Sequence, residues 1–236
     1  MVLLSASEIQ AQTTAYQFKT TDGNFWKMSS LTLSDKVPGK AQVVIRSSQP
    51  QQTFLGWGTC FNELPWDAYN LLSDKDKQLL VKRMFNPYGD LRLQKGRLSA
   101  GANDYAREWY SCDEIDVNET DFEMEHFNID RDLTTIIPSI KLALAENPEI
   151  DFFCSPWSPP TWMKTNKHYA QRKTNTNGCP FNVPPYFNDQ FIDDPRYYKA
   201  YCLYFDKFIN AYKEQGINIT SLAYQNEAYS NTPYPG

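Results

Sequence analysis

The sequence predicts an α/β protein whose strands pair in parallel, preceded by a short antiparallel stretch. Three observations carry this prediction. Four short apolar runs, at 54–58, 91–100, 149–154 and 219–224, read as strands. Three segments with helical periodicity alternate with them. Strand–helix–strand order favours parallel pairing through right-handed crossovers.

The elements follow in chain order. Residues 14–48 carry alternating patches, Phe25-Trp26-Lys27-Met28 and 41–46, broken by Asp22-Gly23 and Pro38-Gly39, and read as antiparallel strands joined by turns. After the first strand of the main sheet, Ser73 can cap a helix over 74–85. Asp74 and Asp76 suit its positive end, and Gly89 lies beyond its close. A second helix starts at Asn128 or Asp130 and runs through Leu133, Ile136, Ile137, Ile140 and Leu144 to Asn147-Pro148. Pro138 should bend or restart it. In the third, Asp194 is the cap, Pro195 takes the first position and Gly216 lies past the end. Its Tyr198, Tyr201, Cys202, Phe205, Phe208, Ile209 and Tyr212 form an apolar stripe for a core.

Composition narrows the function. A chain of 236 residues makes one large domain or two small ones. Lys plus Arg total 23 against 28 Asp plus Glu, a net charge of −5 with no basic stripe, which argues against a nucleic-acid partner. No apolar run reaches the length of a membrane span. The five cysteines (Cys60, Cys112, Cys154, Cys179, Cys202) form no C-x-x-C pair and read as mostly buried free thiols. With only His126 and His168 besides, no zinc spacing exists, and no metal or cofactor is expected. Residues 1–12 resemble the tail of a secretory signal or a cloning remnant. The aromatic count, 6 Trp, 15 Tyr and 14 Phe, hints at flat rings for holding sugars.

In a (β/α)8 barrel the loops after the strands carry the chemistry. Here they hold Gly56-Trp57-Gly58 through Asn62-Glu63, then Asn103-Asp104, then Ser155-Pro156-Trp157, then Gln225-Asn226-Glu227. Acids, amides and indoles of this kind line sugar clefts. A carboxylate just after a buried strand acts as a general acid when burial raises its pKa, which is the role open to Glu227. The plainer readings are a helix-start acid for Glu227, core packing for Trp157, and an ion pair of Asp104 with Arg97 or Arg107.

The run Cys154-Ser155-Pro156-Trp157-Ser158-Pro159-Pro160-Thr161-Trp162-Met163-Lys164-Thr165-Asn166 resembles the strand-three signature of glycoside hydrolase family 30. Gly56-Trp57-Gly58, then Gly96-Arg97 leading to Asn103-Asp104, and Gln225-Asn226-Glu227 are similar to its other motifs, in the same order. The resemblance covers about three-quarters of the chain and implies a retaining β-glycoside hydrolase on a (β/α)8 TIM barrel. Residues 13–50 would then be strands of a side β-sandwich domain, and 51–236 the barrel's first four β/α units. It implies Glu227 as acid/base, Asn226 on the sugar 2-hydroxyl, Asp104 and Trp157 around the −1 sugar, and Arg97 supporting the barrel's catalytic end. The 103–110 stretch is closest to the β-1,6-glucanase and glucosylceramidase-like branch. Ala228 and Ser99 stand where proline is common in the family, a matter of backbone stiffness.

The same resemblance places the nucleophile, a second glutamate, at the end of strand seven, and none is expected in this chain. Retaining chemistry needs two carboxyl groups roughly 5–5.5 Å apart. The expected partners are therefore a β-linked oligosaccharide or glycoside and a complementary C-terminal half that supplies the nucleophile. The alternative is a carbohydrate-binding pseudoenzyme. A secreted, periplasmic or cell-surface location suits either. Tyr105, Trp109, Tyr110 and the long loop from Lys167 to Ile192 are candidates for further sugar subsites.

Overall fold

The structure, a computed structural model, describes residues 14–32, 39, 43–44, 46, 48–180, 190–228, 230 and 232–235. It divides into two compact units, one through Phe54 and one from Leu55 onward. In the first, β1 (Thr14–Thr21) and β2 (Asn24–Thr32) form an antiparallel hairpin. Asp22-Gly23 closes it, with Gly23 at φ 68°, the left-handed backbone that two-residue hairpin loops demand. Half of the patch at 41–46 lies outside the described residues, and all of residues 1–12 does.

The second unit holds β3 (Gly58–Cys60), α1 (Glu63–Asn70), α2 (Asp74–Phe85), β4 (Lys95–Ser99), α3 (Asp130–Thr134), α4 (Ile136–Glu146), β5 (Asp151–Ser155), α5 (Pro195–Glu214) and β6 (Ile219–Leu222). Its four strands pair in parallel in the order β3-β4-β5-β6. That is the α/β architecture expected, with strand ends moved. The run at 54–58 pairs only from Gly58, because the backbone swings to φ 111° at Gly56. The run at 91–100 pairs only from Lys95, since Arg92 sits at φ 51°.

The helix termini obey local chemistry. Ser73 accepts from the Asp76 amide at 3.2 Å and Asp194 from the Arg196 amide at 2.8 Å, each satisfying an otherwise orphaned donor. The second expected helix is two. It breaks at Thr135 (φ −127°, ψ −77°), and Pro138 falls in the first turn of α4, where its missing N–H costs nothing. The sequence reading has no counterpart of α1, whose first turn contains Pro65 directly behind a strand.

The core lies between the sheet and α2, α4 and α5, around Leu98, Ile140, Phe152 and Phe208. Gly96 must stay bare, because a Cβ there would stand 2.5 Å from the Phe152 ring. The buried stripe of α5 is Ala200, Tyr204, Phe205, Phe208 and Tyr212, whereas Tyr198 and Cys202 are exposed. The expected stripe is thus recovered at Phe205, Phe208 and Tyr212, with Tyr201 and Ile209 packed against the core, and it gains Ala200 and Tyr204. Two tyrosine hydroxyls tie this face to distant segments. Tyr204 accepts from the Cys112 amide (3.1 Å) and donates to the Ala100 carbonyl (3.2 Å), while Tyr212 donates to Asp132 (2.7 Å). All five cysteines are free, three of them buried.

Candidate active site at the strand ends

Arg97 is the hub at the C-terminal end of the sheet. From β4 its Nη2 donates to Ser155 Oγ, at the end of β5, at 3.0 Å, and to Asn226 Oδ1, beyond β6, at 2.6 Å. Its guanidinium carbon lies 4.3 Å from the Trp157 ring centroid, a cation–π distance. The loops after β5 and β6 are laced as well. The Asn226 amide donates to the Pro156 carbonyl (2.8 Å), and Gln225 Nε2 to the Trp157 carbonyl (2.6 Å). Arg97, Trp157 and Asn226, picked from sequence, therefore meet at one place. Ser155 completes the group and was not picked, because a serine in a strand carries no signal of its own.

Two donors at this place have no acceptor among the described residues. Trp157 is 7% exposed, and both its Nε1 and Arg97 Nε are buried without a hydrogen-bond partner among the described residues. A buried N–H without an acceptor is costly, and a ligand oxygen would satisfy it.

Glu227 directly follows Asn226 and is exposed, so the burial expected of it is not found: among the described residues no segment packs over it. Its backbone is left-handed at φ 46°, uncommon for a residue with a Cβ. Such strain costs about 1–2 kcal/mol and is characteristic of functional positions. Glu227→Gly is accordingly expected to raise the unfolding free energy by about 1 kcal/mol in urea titrations, although it deletes the carboxylate. A fall in stability would assign the side chain a packing role instead.

Asp104 is exposed and pairs with neither Arg97 nor Arg107, so the ion-pair reading does not hold. Arg107 is taken by Asp67 through two hydrogen bonds. What anchors the loop around Asp104 is its neighbour Asn103, which donates to Asn62 Oδ1 at 2.5 Å and accepts from the Tyr105 amide. No described contact joins Asp104 to the Arg97 group.

Beneath this loop lies an ionic network that sequence reasoning missed. Glu63, 1% exposed, receives Arg131 Nε at 2.7 Å, Arg131 Nη2 at 3.0 Å and the Arg107 amide at 2.8 Å. Beside it Asp132, fully buried, accepts from Tyr110 (2.8 Å) and Tyr212 (2.7 Å). Burial pushes the Asp132 carboxyl up to about 6 despite those two donors. Tyr110 is thereby consumed in the core under the Arg131 guanidinium and is no sugar subsite. Tyr105 is exposed, and Trp109 packs edge-on to His168 with centroids 5.6 Å apart. Residues 181–189 of the loop from Lys167 to Ile192 lie outside the described residues. Lys164 is buried with Nζ donating to Ser158 Oγ (3.1 Å) and the Tyr169 carbonyl (2.7 Å). Burial lowers its pKa to about 7. An apolar cleft lined by Phe61, Trp66, Met84 and Leu142 contains none of Arg97, Trp157, Asn226 or Glu227.

The model of the glycosyl hydrolase family 30 TIM-barrel domain matches residues 54–233. The chain belongs to glycosyl hydrolase family 30. A Caenorhabditis elegans protein bearing a glucosylceramidase name is 31% identical over 80% of this chain and 33% of its own length. An endo-1,6-β-D-glucanase of Aspergillus fumigatus is 28% identical over 80% of this chain and 38% of its own. Among solved structures, an endo-β1,6-glucanase superposes with a TM-score of 0.64 at 26% identity, covering 81% of this chain and 38% of that one. The chain thus spans little more than a third of the length of these family 30 relatives. No described helix is long and apolar enough to cross a membrane, and no described cluster of His, Cys, Asp and Glu suits a metal ion.

Proposed function

We propose that this chain is the N-terminal part of a retaining β-glycoside hydrolase acting on β-linked glucosides such as β-1,6-glucan or glucosylceramide, with Glu227 as general acid/base. The observation that carries this reading is the convergence of Arg97, Trp157 and Asn226 beside Glu227, with two buried donors that meet no acceptor among the described residues. Sugar hydroxyls are acceptors of the required kind, and an indole covers a pyranose face. In this role Asn226 holds the 2-hydroxyl, Trp157 and Asp104 hold the −1 sugar, and Arg97 fixes Asn226 and Trp157 to each other.

The second carboxyl group comes from a complementary C-terminal half in this reading. Glu63 cannot serve, because Arg131 and the Arg107 amide occupy both its oxygens. The edges of the sheet support a complement: among the described residues β3 pairs only with β4 and β6 only with β5, and open parallel edges invite further strands. The four parallel strands are then the first four units of the barrel, and the β1–β2 hairpin belongs to a side β-sandwich. A secreted, periplasmic or cell-surface location suits such substrates. The exposure of Glu227, with no acid facing it among the described residues, favours, as a second reading, a sugar-binding pseudoenzyme.

The test is a screen of the complete polypeptide on β-1,6-glucan, glucosylceramide, aryl β-glucoside and aryl β-xyloside. Hydrolysis of a β-glucoside with net retention of anomeric configuration is expected. Sugar binding without hydrolysis of any of the four substrates selects the pseudoenzyme.

A further inference from the structure

The loop after β4 and the loop after β5 are fastened together at one buried point. Trp162, in the short 3-10 turn Thr161–Met163, is fully buried and donates its indole N–H to Asp113 Oδ2 at 2.8 Å. The other oxygen of Asp113 is buried and meets no donor among the described residues. Facing Asp113 is a second carboxyl, that of Asp121, which is 7% exposed. Asp121 Oδ2 accepts from the His126 amide at 2.8 Å and lies 2.9 Å from His126 Nδ1. Two carboxylates set against each other away from water repel, and a single shared proton removes the conflict. With that proton on Asp113, its orphaned oxygen becomes a donor to Asp121, and every polar atom at the junction is matched.

We propose that Asp113, Asp121 and His126 form a proton-operated latch that fastens the loop after β4 to the loop after β5 in acid and loosens it above neutrality. The inference does not depend on the hydrolase reading. Its effect would nevertheless reach the candidate site, since one loop carries Asp104 and the other Trp157.

The remaining charged groups around the latch are otherwise engaged or at its rim. Glu114 bonds Ser111 and Tyr169, and Glu125 lies beside His126. Lys167 donates to the Trp162 carbonyl at 2.8 Å. From α5, Arg196 sits over the Phe122 ring while pairing with Asp194, and Lys207 donates to the Met124 carbonyl at 2.5 Å.

The direction follows from linkage. Burial, with the Asp121 charge adding to it, pushes the Asp113 carboxyl from 3.8 to about 6, against the opposing Trp162 bond. A group held above its ordinary value stabilises when protonated. Its contribution is full below about pH 4 and fades as pH rises through about 6. His126 is raised by its bond to Asp121, so its contribution is also lost on the alkaline side. A difference of about two pKa units corresponds to at most about a hundredfold change in latch opening.

Hydrogen exchange read by mass spectrometry tests this, with peptides covering 111–128 and 156–164 compared at about pH 5 and about pH 7.5 after correction for intrinsic rates. Opening of these peptides is expected to rise about tenfold at the higher pH relative to α5 peptides, because at pH 5 Asp113 is already only partly in its stabilising range. Normalising to α5 separates the latch from Asp132, whose titration acts on the core through Tyr212. Asp113→Asn supplies a permanent donor to Asp121 and still accepts from Trp162, so most of the pH dependence should vanish with the latch closed. Unchanged pH dependence in Asp113→Asn, or equal protection at both pH values in the native protein, overturns the proposal. Should Asp113→Asn fail to fold, carboxyl carbon NMR of the native protein decides. A titration of Asp113 near 6 supports the latch, and a midpoint at or below about 4 overturns it.

Discussion

Replacing Glu227 by Gln in the complete polypeptide should lower hydrolysis of substrates with poor leaving groups by about 10²–10⁴-fold. The amide keeps the shape of the side chain and cannot deliver a proton to the departing oxygen. An alkoxide needs that proton, whereas a nitrophenolate does not. Aryl glycosides with good leaving groups should therefore retain most of the rate of the glycosylation step, and a burst of phenol should precede slow turnover. Measuring kcat/KM on a matched pair of alkyl and aryl glucosides makes the distinction. Equal loss on both would remove Glu227 from the acid/base role and turn attention to its strained backbone. Placement beside Asn226, itself bonded to Arg97, supports a side chain aimed by its neighbours rather than by a covering wall.

The largest effect on stability is expected from Arg131→Met, a loss of about 3–5 kcal/mol in urea unfolding of the complete polypeptide. Glu63 is 1% exposed, and the Arg131 side chain 29%, so removing the arginine strands a buried carboxylate with only the Arg107 amide to satisfy it. The double replacement Glu63→Gln with Arg131→Met should recover a substantial part of that loss, because the cost lies in the stranded charge. Full additivity of the two single losses would show that the pair does not act as a unit. Since Glu63 also holds the Arg107 amide, the loop around Asp104 should gain hydrogen exchange in the single variant.

Features set by neighbours along the chain were legible before any tertiary contact was known. Ser73 and Asp194 cap their helices because an oxygen two or three residues ahead of an orphaned amide can reach it in any protein. Pro138 required a restart for reasons internal to one helical turn. The alternation of strands and helices favoured parallel pairing, and the resemblance to family 30 pointed to Arg97, Asp104, Trp157 and Asn226, of which Arg97, Trp157 and Asn226 meet. What meets Tyr204 and Tyr212 was not legible, since the carbonyl and carboxylate that accept from them come from segments far along the chain. Nor was the burial of Tyr110, which reads in sequence as one more aromatic in a sugar-binding loop.

The opening inference, an α/β chain with chemistry at its strand ends, thus rested on short-range rules and stands. The sequence by itself determined where the capped helices begin and how the strands run. Tertiary structure alone decided which acids are spent on holding the fold. Glu63 and Asp132 are fixed by partners tens of residues away, Asp104 is left exposed, and Asp113 is set against Asp121. The physical reason is that a carboxylate's role depends on what surrounds it, and for these residues the deciding donors and charges come from distant segments.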